Sequence, residues 1–262
     1  MPYKQLTDKC EIEARLRRDT AIHIYEIGDL DPFFWPYTTW YCRSDDDDSD
    51  EIALVYRGSE TPVLLAFGRG AESGLPELLR SIGPELPDSF HAHLSDGCVA
   101  ALEDSFRFES FGLHRKMALG QPECLTTIDV SSVVPLRTKD LEEIEELYER
   151  AYPDGWFDPR MLETNMYFGV RRGSRLVSIA GIHVYSAGYG VAALGNITTD
   201  PTLRGSGLGS SVTARLCQEL VQTCSHIGLN VKADNEPALA CYAKLGFERV
   251  IDYHEGKLVR RK

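Results

Sequence analysis

Residues 203–211 read LRGSGLGSS, with glycine at alternate positions from Gly205 to Gly209. The run stands between a strand-like stretch, VAALGNITT (191–199), and a helical pattern through Val212, Leu216, Leu220 and Ile227. Strand, glycine loop and helix in that order point to an α/β architecture. A helix N-terminus offers unpaired N–H groups and the positive end of its dipole. Without Cβ atoms the glycines let that backbone approach an anion closely and reach φ > 0. The combination is a phosphate cradle, and Arg204 adds a charge at its rim. The loop lacks the lysine of a nucleoside-triphosphate loop, G-x-x-x-x-G-K-[ST]. It is also G-x-G-x-G and comes late in the chain, unlike the dinucleotide fingerprint. Alone, it reads equally well as a tight turn.

Composition narrows the ligand class. The formal net charge of the 262 residues is -12, which disfavours nucleic acid, since phosphate backbones are bound by clustered Lys and Arg. An anionic ligand then needs a local site made of backbone amides. Seven cysteines are scattered without a C-x-x-C pair, so reduced thiols are expected, with no disulfide framework and no metal site. The first ten residues lack the apolar core of a signal peptide, and no apolar run approaches the ~20 residues of a membrane span. A soluble, cytoplasmic protein without a membrane partner is expected. The acidic run DDDDSDE (45–51) reads as a solvated surface turn.

Along the chain, residues 1–44 read as a helix followed by an aromatic loop whose side chains are expected mainly in the core. IALVYRG and VLLAFG read as strands, LPELLRSI as a helix, FHAHL as a strand, VAALEDSF as a helix and FESFGLHRKMAL as strand. GQPEC (120–124) marks a linker, giving domains at 1–120 and 124–262. The second half reads as a strand LTTIDV, a helix from Asp140 with a capping box to Glu143, and a hairpin turned at Gly173. Then come VAALGNITT, the glycine loop and its helix, a strand GLNVKAD, a helix EPALACYAKL and two strands, FERVIDYH and KLVRR. The late order of elements is the same in both halves, a degenerate internal repeat.

The loop has a companion. About twenty-five residues on, NEPALACYAKLGF carries Asn235, Ala238, Tyr242, Gly246 and Phe247 in the pattern N-x-x-A-x-x-x-Y-x-x-x-G-F. Together with R-x-x-G-x-G at Arg204, Gly207 and Gly209, this resembles the GCN5-related N-acetyltransferase (GNAT) family, in its FR47-like branch. The resemblance covers roughly residues 125–262. It implies a GNAT fold with a mixed, splayed sheet in the C-terminal half, preceded by a degenerate GNAT-like α/β N-terminal domain. It further implies acetyl-CoA as cofactor and acetyl transfer to an amine by direct attack. By the same resemblance, Ile197, Thr198 and Thr199 line the pantetheine arm. Arg204, Gly205, Ser206, Gly207, Leu208, Gly209 and Ser210 hold the pyrophosphate. Asn235 bonds the arm, helped by Asn230.

Tyr242 is the expected general acid, because a phenol (pKa ~10) lies close to a thiol (~8.5). Relatives often carry a carboxylate base on the strand before the loop, and VAALGNITT has none. His183 on the preceding strand is the candidate, against the alternatives of an ordinary sheet histidine or no base at all. The expected acceptor is a small-molecule amine; a peptide N-terminus or lysine, or a non-catalytic acyl-CoA sensor, are the rival readings. The oligomeric state is not legible. In the first half, the equivalent loop AFGRGAESGLPELL (66–79) lacks the close glycine spacing. It places Glu72 against any anion and Pro76 at the helix start. That half is expected to bind no cofactor and to serve as a structural or substrate-wall domain.

Overall fold

The computed structural model describes residues 3–44, 51–69, 73–153 and 155–262. Contacts divide them into two units, one of residues 1–116, 231–234 and 250–262, the other of residues 117–230 and 235–249. The change at Lys116/Met117 lies near the linker expected at 120–124, while residues 250–262 group with the first unit.

In the first unit the apolar stretches alternate with short helices. β1 (Tyr3–Leu6) leads into α1 (Lys9–Leu16) and α2 (Ile24–Gly28), then β2 (Thr38–Arg43), β3 (Ala53–Tyr56) and β4 (Val63–Ala66). These four strands pair in sequence, all antiparallel. The expected helix-then-loop reading of residues 1–44 missed two strands there. The end of the aromatic stretch, Trp40 and Tyr41, is buried in β2, whereas Phe33 and Tyr37 are exposed. A loop then feeds α3 (Leu75–Ile82), and β5 (Ser89–Leu94) returns parallel to β4. α3 buries Leu75, Leu78, Leu79 and Ile82, spaced i, i+3, i+4, i+7, so one stripe meets the sheet. At ~1.5–3 kcal/mol for each large apolar side chain buried, this stripe is a main anchor of the helix. α4 (Cys98–Leu102) precedes β6 (Phe106–Leu119).

The second unit repeats that order. β7 (Val133–Pro135) is followed by α5 (Leu141–Ala151), then β8 (Phe168–Arg172), β9 (Arg175–Ser186) and β10 (Val191–Thr199), again antiparallel in sequence. The glycine loop leads to α6 (Leu208–Leu220), and β11 (His226–Lys232) returns parallel to β10. α7 (Glu236–Lys244) and β12 (Phe247–Arg260) close the chain. The hairpin turns at Gly173, whose φ of 63° suits glycine. Residues 176–182 of β9 are buried without a break, so both faces of this strand are covered.

Four local expectations are corrected. LTTIDV is no strand: residues Pro122–Thr127 form a 3-10 turn, begun by Pro122, and Gln218 Nε2 donates to the Leu125 carbonyl at 3.0 Å. Asp140 and Glu143 do not form a capping box. The Asp140 carboxylate accepts from the Arg137 backbone N–H at 2.7 Å, and both acids pair with Arg171. Ile227 lies on β11, because the helix stops at Leu220. FERVIDYH and KLVRR are one continuous strand, since Gly256 stays in register opposite Ala92.

Candidate active site in the second unit

β10 and β11 pair from Val191 opposite His226 to Leu194 opposite Leu229, and there the pairing ends although both strands continue. The cause lies in β10. Its register against β9 jumps between Gly195 and Thr198, so Asn196 and Ile197 form a bulge. Asn196 has φ of 56°, a left-handed conformation that Asn tolerates better than most residues. Buried bonds hold it there. Its Nδ2 donates to the Tyr167 hydroxyl at 3.0 Å, and its carbonyl accepts from the Tyr148 hydroxyl at 3.0 Å. The Tyr167 hydroxyl donates onward to the Ile182 carbonyl at 2.9 Å. Beyond the bulge the edge of β10 is open to an extended, amide-bearing ligand.

The expected arm-binding residues sit on that edge. Thr198 and Thr199 turn their hydroxyls inward, to the Ala151 carbonyl at 3.2 Å and to Ser178 Oγ at 2.8 Å. Ile197 is half-buried. The backbone, rather than these side chains, is what the edge presents. Across the splay, one residue beyond the last pair, Asn230 Oδ1 is buried with no hydrogen-bond partner among the described residues. A buried acceptor left unpaired costs ~1–3 kcal/mol, so this atom calls for an N–H donor.

The loop beyond β10 is a bare cradle. Gly205 and Gly207 have φ of 76° and 85°, and a Cβ on either would meet nothing within 4 Å. Gly207 is the N-cap of α6, and no side chain caps that helix among the described residues. Leu208 is buried and roots the first turn. Ser206 Oγ donates to the Leu203 carbonyl at 2.5 Å. Arg204 points its head back to the Thr199 and Ala151 carbonyls, at 3.3 and 3.4 Å, from an exposed position. Gly209 lies over Thr199, and Ser210 Oγ contacts Cys241 Sγ at 3.2 Å, which ties the first turn of α6 to α7. Open strand edge, unpaired Asn230 Oδ1 and uncapped glycine cradle together fit an amide-linked arm ending in a diphosphate.

Tyr242, on α7, packs edge-on against Phe247 with centroids 6.0 Å apart and is 9% exposed. Burial pushes its pKa well up, and Cys241, Tyr152 and Cys217 add to the rise. Asn235 does not face a ligand with its oxygen: Oδ1 caps α7, accepting from the Ala238 N–H at 3.3 Å. His183 lies on the bare face of Gly195, where a Cβ would strike its ring. Its Nε2 is 3.4 Å from Asn196 Oδ1, and Trp156 meets it edge to face at 5.9 Å. The bulge residue and its two tyrosines were not anticipated. The signal was there in Asn196 itself, a residue that strands disfavour.

These features carry a family likeness. Residues 135–247 match the model of the acetyltransferase (GNAT) family. It is 34% identical over 112 residues to the mycothiol acetyltransferase of Catenulispora acidiphila, covering 40% of this chain and 33% of that protein. It is 37% identical over 92 residues to the N-alpha-acetyltransferase RimI of Mycobacterium tuberculosis, covering 33% of this chain and 54% of that one. The chain thus spans from a third to about half the length of these relatives. A Drosophila protein solved by X-ray crystallography shares the fold over 98% of both chains, with a TM-score of 0.73 and 14% identity. That likeness extends a shared α/β fold over nearly the whole chain.

Proposed function

We propose that the chain is an N-acetyltransferase that moves the acetyl group of acetyl-CoA to the amine of a small molecule. The observation that carries the reading is the juxtaposition of the β10–β11 splay, the unpaired Asn230 Oδ1 and the uncapped glycine cradle of α6. When bound, acetyl-CoA supplies a thioester, an activated acyl group with a good leaving thiol. The β10 edge at residues 197–199 orients the arm by strand-like bonds, and the N–H groups of Gly205 to Ser210 hold the diphosphate.

Tyr242 donates a hydrogen bond to the departing sulfur. Its raised pKa keeps the hydroxyl protonated, so donation rather than full proton release is its main work. His183, fixed between Gly195, Asn196 and Trp156, is the candidate to accept the amine proton. The Trp156 ring beside His183 offers one apolar contact to a small acceptor. A second reading, acetylation of a peptide N-terminus, is favoured by the likeness to RimI and by the net charge of -12, which suits basic peptides.

Thiol release from acetyl-CoA, measured against panels of small amines, amino acids and peptides, tests both. Turnover above the hydrolysis blank with small amines supports the first reading. Turnover confined to peptides supports the second. Release that no acceptor raises, with acetyl-CoA bound, reduces the site to a cofactor sensor.

A further inference from the structure

We propose that Asp200 is the positioning residue of the glycine loop, the buried charge that holds residues 203–210 in a pyrophosphate-binding shape before any ligand arrives. This rests on the reading of the loop just given. Asp200 is the first residue after β10 and is 2% exposed. Its Oδ1 accepts from the Thr202 backbone N–H at 3.1 Å and from Thr202 Oγ1 at 2.7 Å. Its Oδ2 accepts from Arg150 Nε on α5 at 3.1 Å and from Arg175 Nη2 on β9 at 2.9 Å. Its own N–H donates to the Val177 carbonyl at 2.8 Å, and its carbonyl accepts from the Leu203 N–H at 2.8 Å. Helix, strand and loop therefore converge on one side chain, and every polar group of that residue is engaged.

The need for such an anchor follows from the loop's composition. A segment with glycine at 205, 207 and 209 loses more backbone freedom on ordering than a glycine-free one of its length. A ligand that had to order it would bind correspondingly weakly. A carboxylate beside an anion site is at first sight the wrong charge. Two guanidinium groups on its Oδ2 leave the trio with a net positive charge, so the anchor does not repel a diphosphate. The Thr202 bonds, with Arg150 and Arg175, hold the carboxyl down at about 2, and it stays ionised throughout the neutral range.

The test uses two probes on the full chain. Coenzyme A carries the diphosphate; S-acetylpantetheine carries the same arm and no diphosphate. Calorimetry compares them for the parent, Asp200→Asn and Arg175→Gln. The expected result is a ~10-fold or greater loss of coenzyme A affinity in Asp200→Asn, with S-acetylpantetheine unchanged. Amide exchange at residues 203–210 of the ligand-free variant should quicken. Arg175, 56% exposed, is the milder site: its variant should shift the ratio of the two affinities in the same direction by less, and it decides the matter if Asp200→Asn fails to fold. Parallel loss of both probes, or loss of neither, overturns the proposal. If the parent itself binds S-acetylpantetheine as tightly as coenzyme A, the loop is no diphosphate site, and the functional reading falls together with this one.

Discussion

Between β4 and α3 the backbone passes through Gly68 and Gly74; between β10 and α6 it passes through Gly205 and Gly207. The flanking strands and helices follow the same order, with a parallel strand returning beside the first. In the first unit the two strands stay joined to the end of β4. The Ser95 N–H donates to the Ala66 carbonyl at 3.0 Å, and Ser95 Oγ bridges the Gly68 N–H at 3.1 Å and the Gly68 carbonyl at 3.2 Å. The start of α3 is closed as well. Glu51, read from sequence as the end of a solvated turn, accepts from the Gly74 N–H at 2.6 Å, so a carboxylate of the protein stands where an anion would bind. Pro76 removes a further donor from the first turn. Glu72 and residues 45–50 of the acidic run lie outside the described residues. In the second unit the corresponding strand edge and helix start are left open. A helix N-terminus binds an external anion only where the chain withholds its own cap.

Four experiments can break or sharpen that contrast. The largest effect is expected at α7, since its counterpart α4, CVAAL, has no tyrosine. Tyr242→Phe should lower kcat by ~10²–10³-fold, the usual cost of a lost transition-state donor, with acetyl-CoA affinity kept; steady-state kinetics with the acceptor found by the thiol-release screen will read it. An unaltered kcat would return Tyr242 to a packing role. Gly207→Val places a β-branched side chain at φ of 85° inside the cradle. Coenzyme A binding should fall ~100-fold by calorimetry while circular dichroism stays native, and retained affinity would remove the loop from the site.

The first unit should also be the more acid-sensitive. Its His93 stacks on Tyr253 at 5.3 Å and lies 3.7 Å from Glu255. Burial, opposed by Glu255 and aided by Lys116 and His114, lowers its pKa to about 4. Unfolded, the ring protonates near ~6.5, so its contribution to stability is full above that pH and is lost as pH falls towards 4. The loss should be on the order of 3 kcal/mol, and His93→Gln should flatten this limb in denaturant titrations. A variant with the parent's acid limb would exclude His93 as its cause. The smallest effect is at the closed helix start. Glu51→Gln should cost ~1 kcal/mol of stability and leave coenzyme A bound at one per chain. A second equivalent appearing in calorimetry would mean that Glu51 alone keeps the first loop shut.

Much of the second unit was legible, because its signals are local. The hairpin at Gly173, the strand before the loop and the helices after it follow from period and punctuation. What failed to read were places decided at a distance. LTTIDV has a strand's composition, but Pro122 begins a turn there. Asp140 and Glu143 have a capping box's spacing, but Arg171, from β8, pairs with both carboxylates, and the Arg137 N–H donates to the other Asp140 oxygen. Asn235 matches the family pattern, yet its oxygen is used to cap its own helix.

The sequence by itself determined the late order of strands and helices in both halves and the bareness of residues 205–209, because periodicity and the missing Cβ are properties of the residues alone. The glycine spacing also pointed to the second repeat as the open one, but only the tertiary structure supplied the groups that hold one repeat open and the other closed. The bulge at Asn196 needs Tyr148 from α5 and Tyr167 ahead of β8 to hold it. The plug in the first unit needs Ser95 and Glu51, 27 and 23 residues from the glycines they bind. Hydrogen bonds between residues so far apart leave no period in the chain. They exist only once the strands have brought their donors and acceptors within about 3 Å.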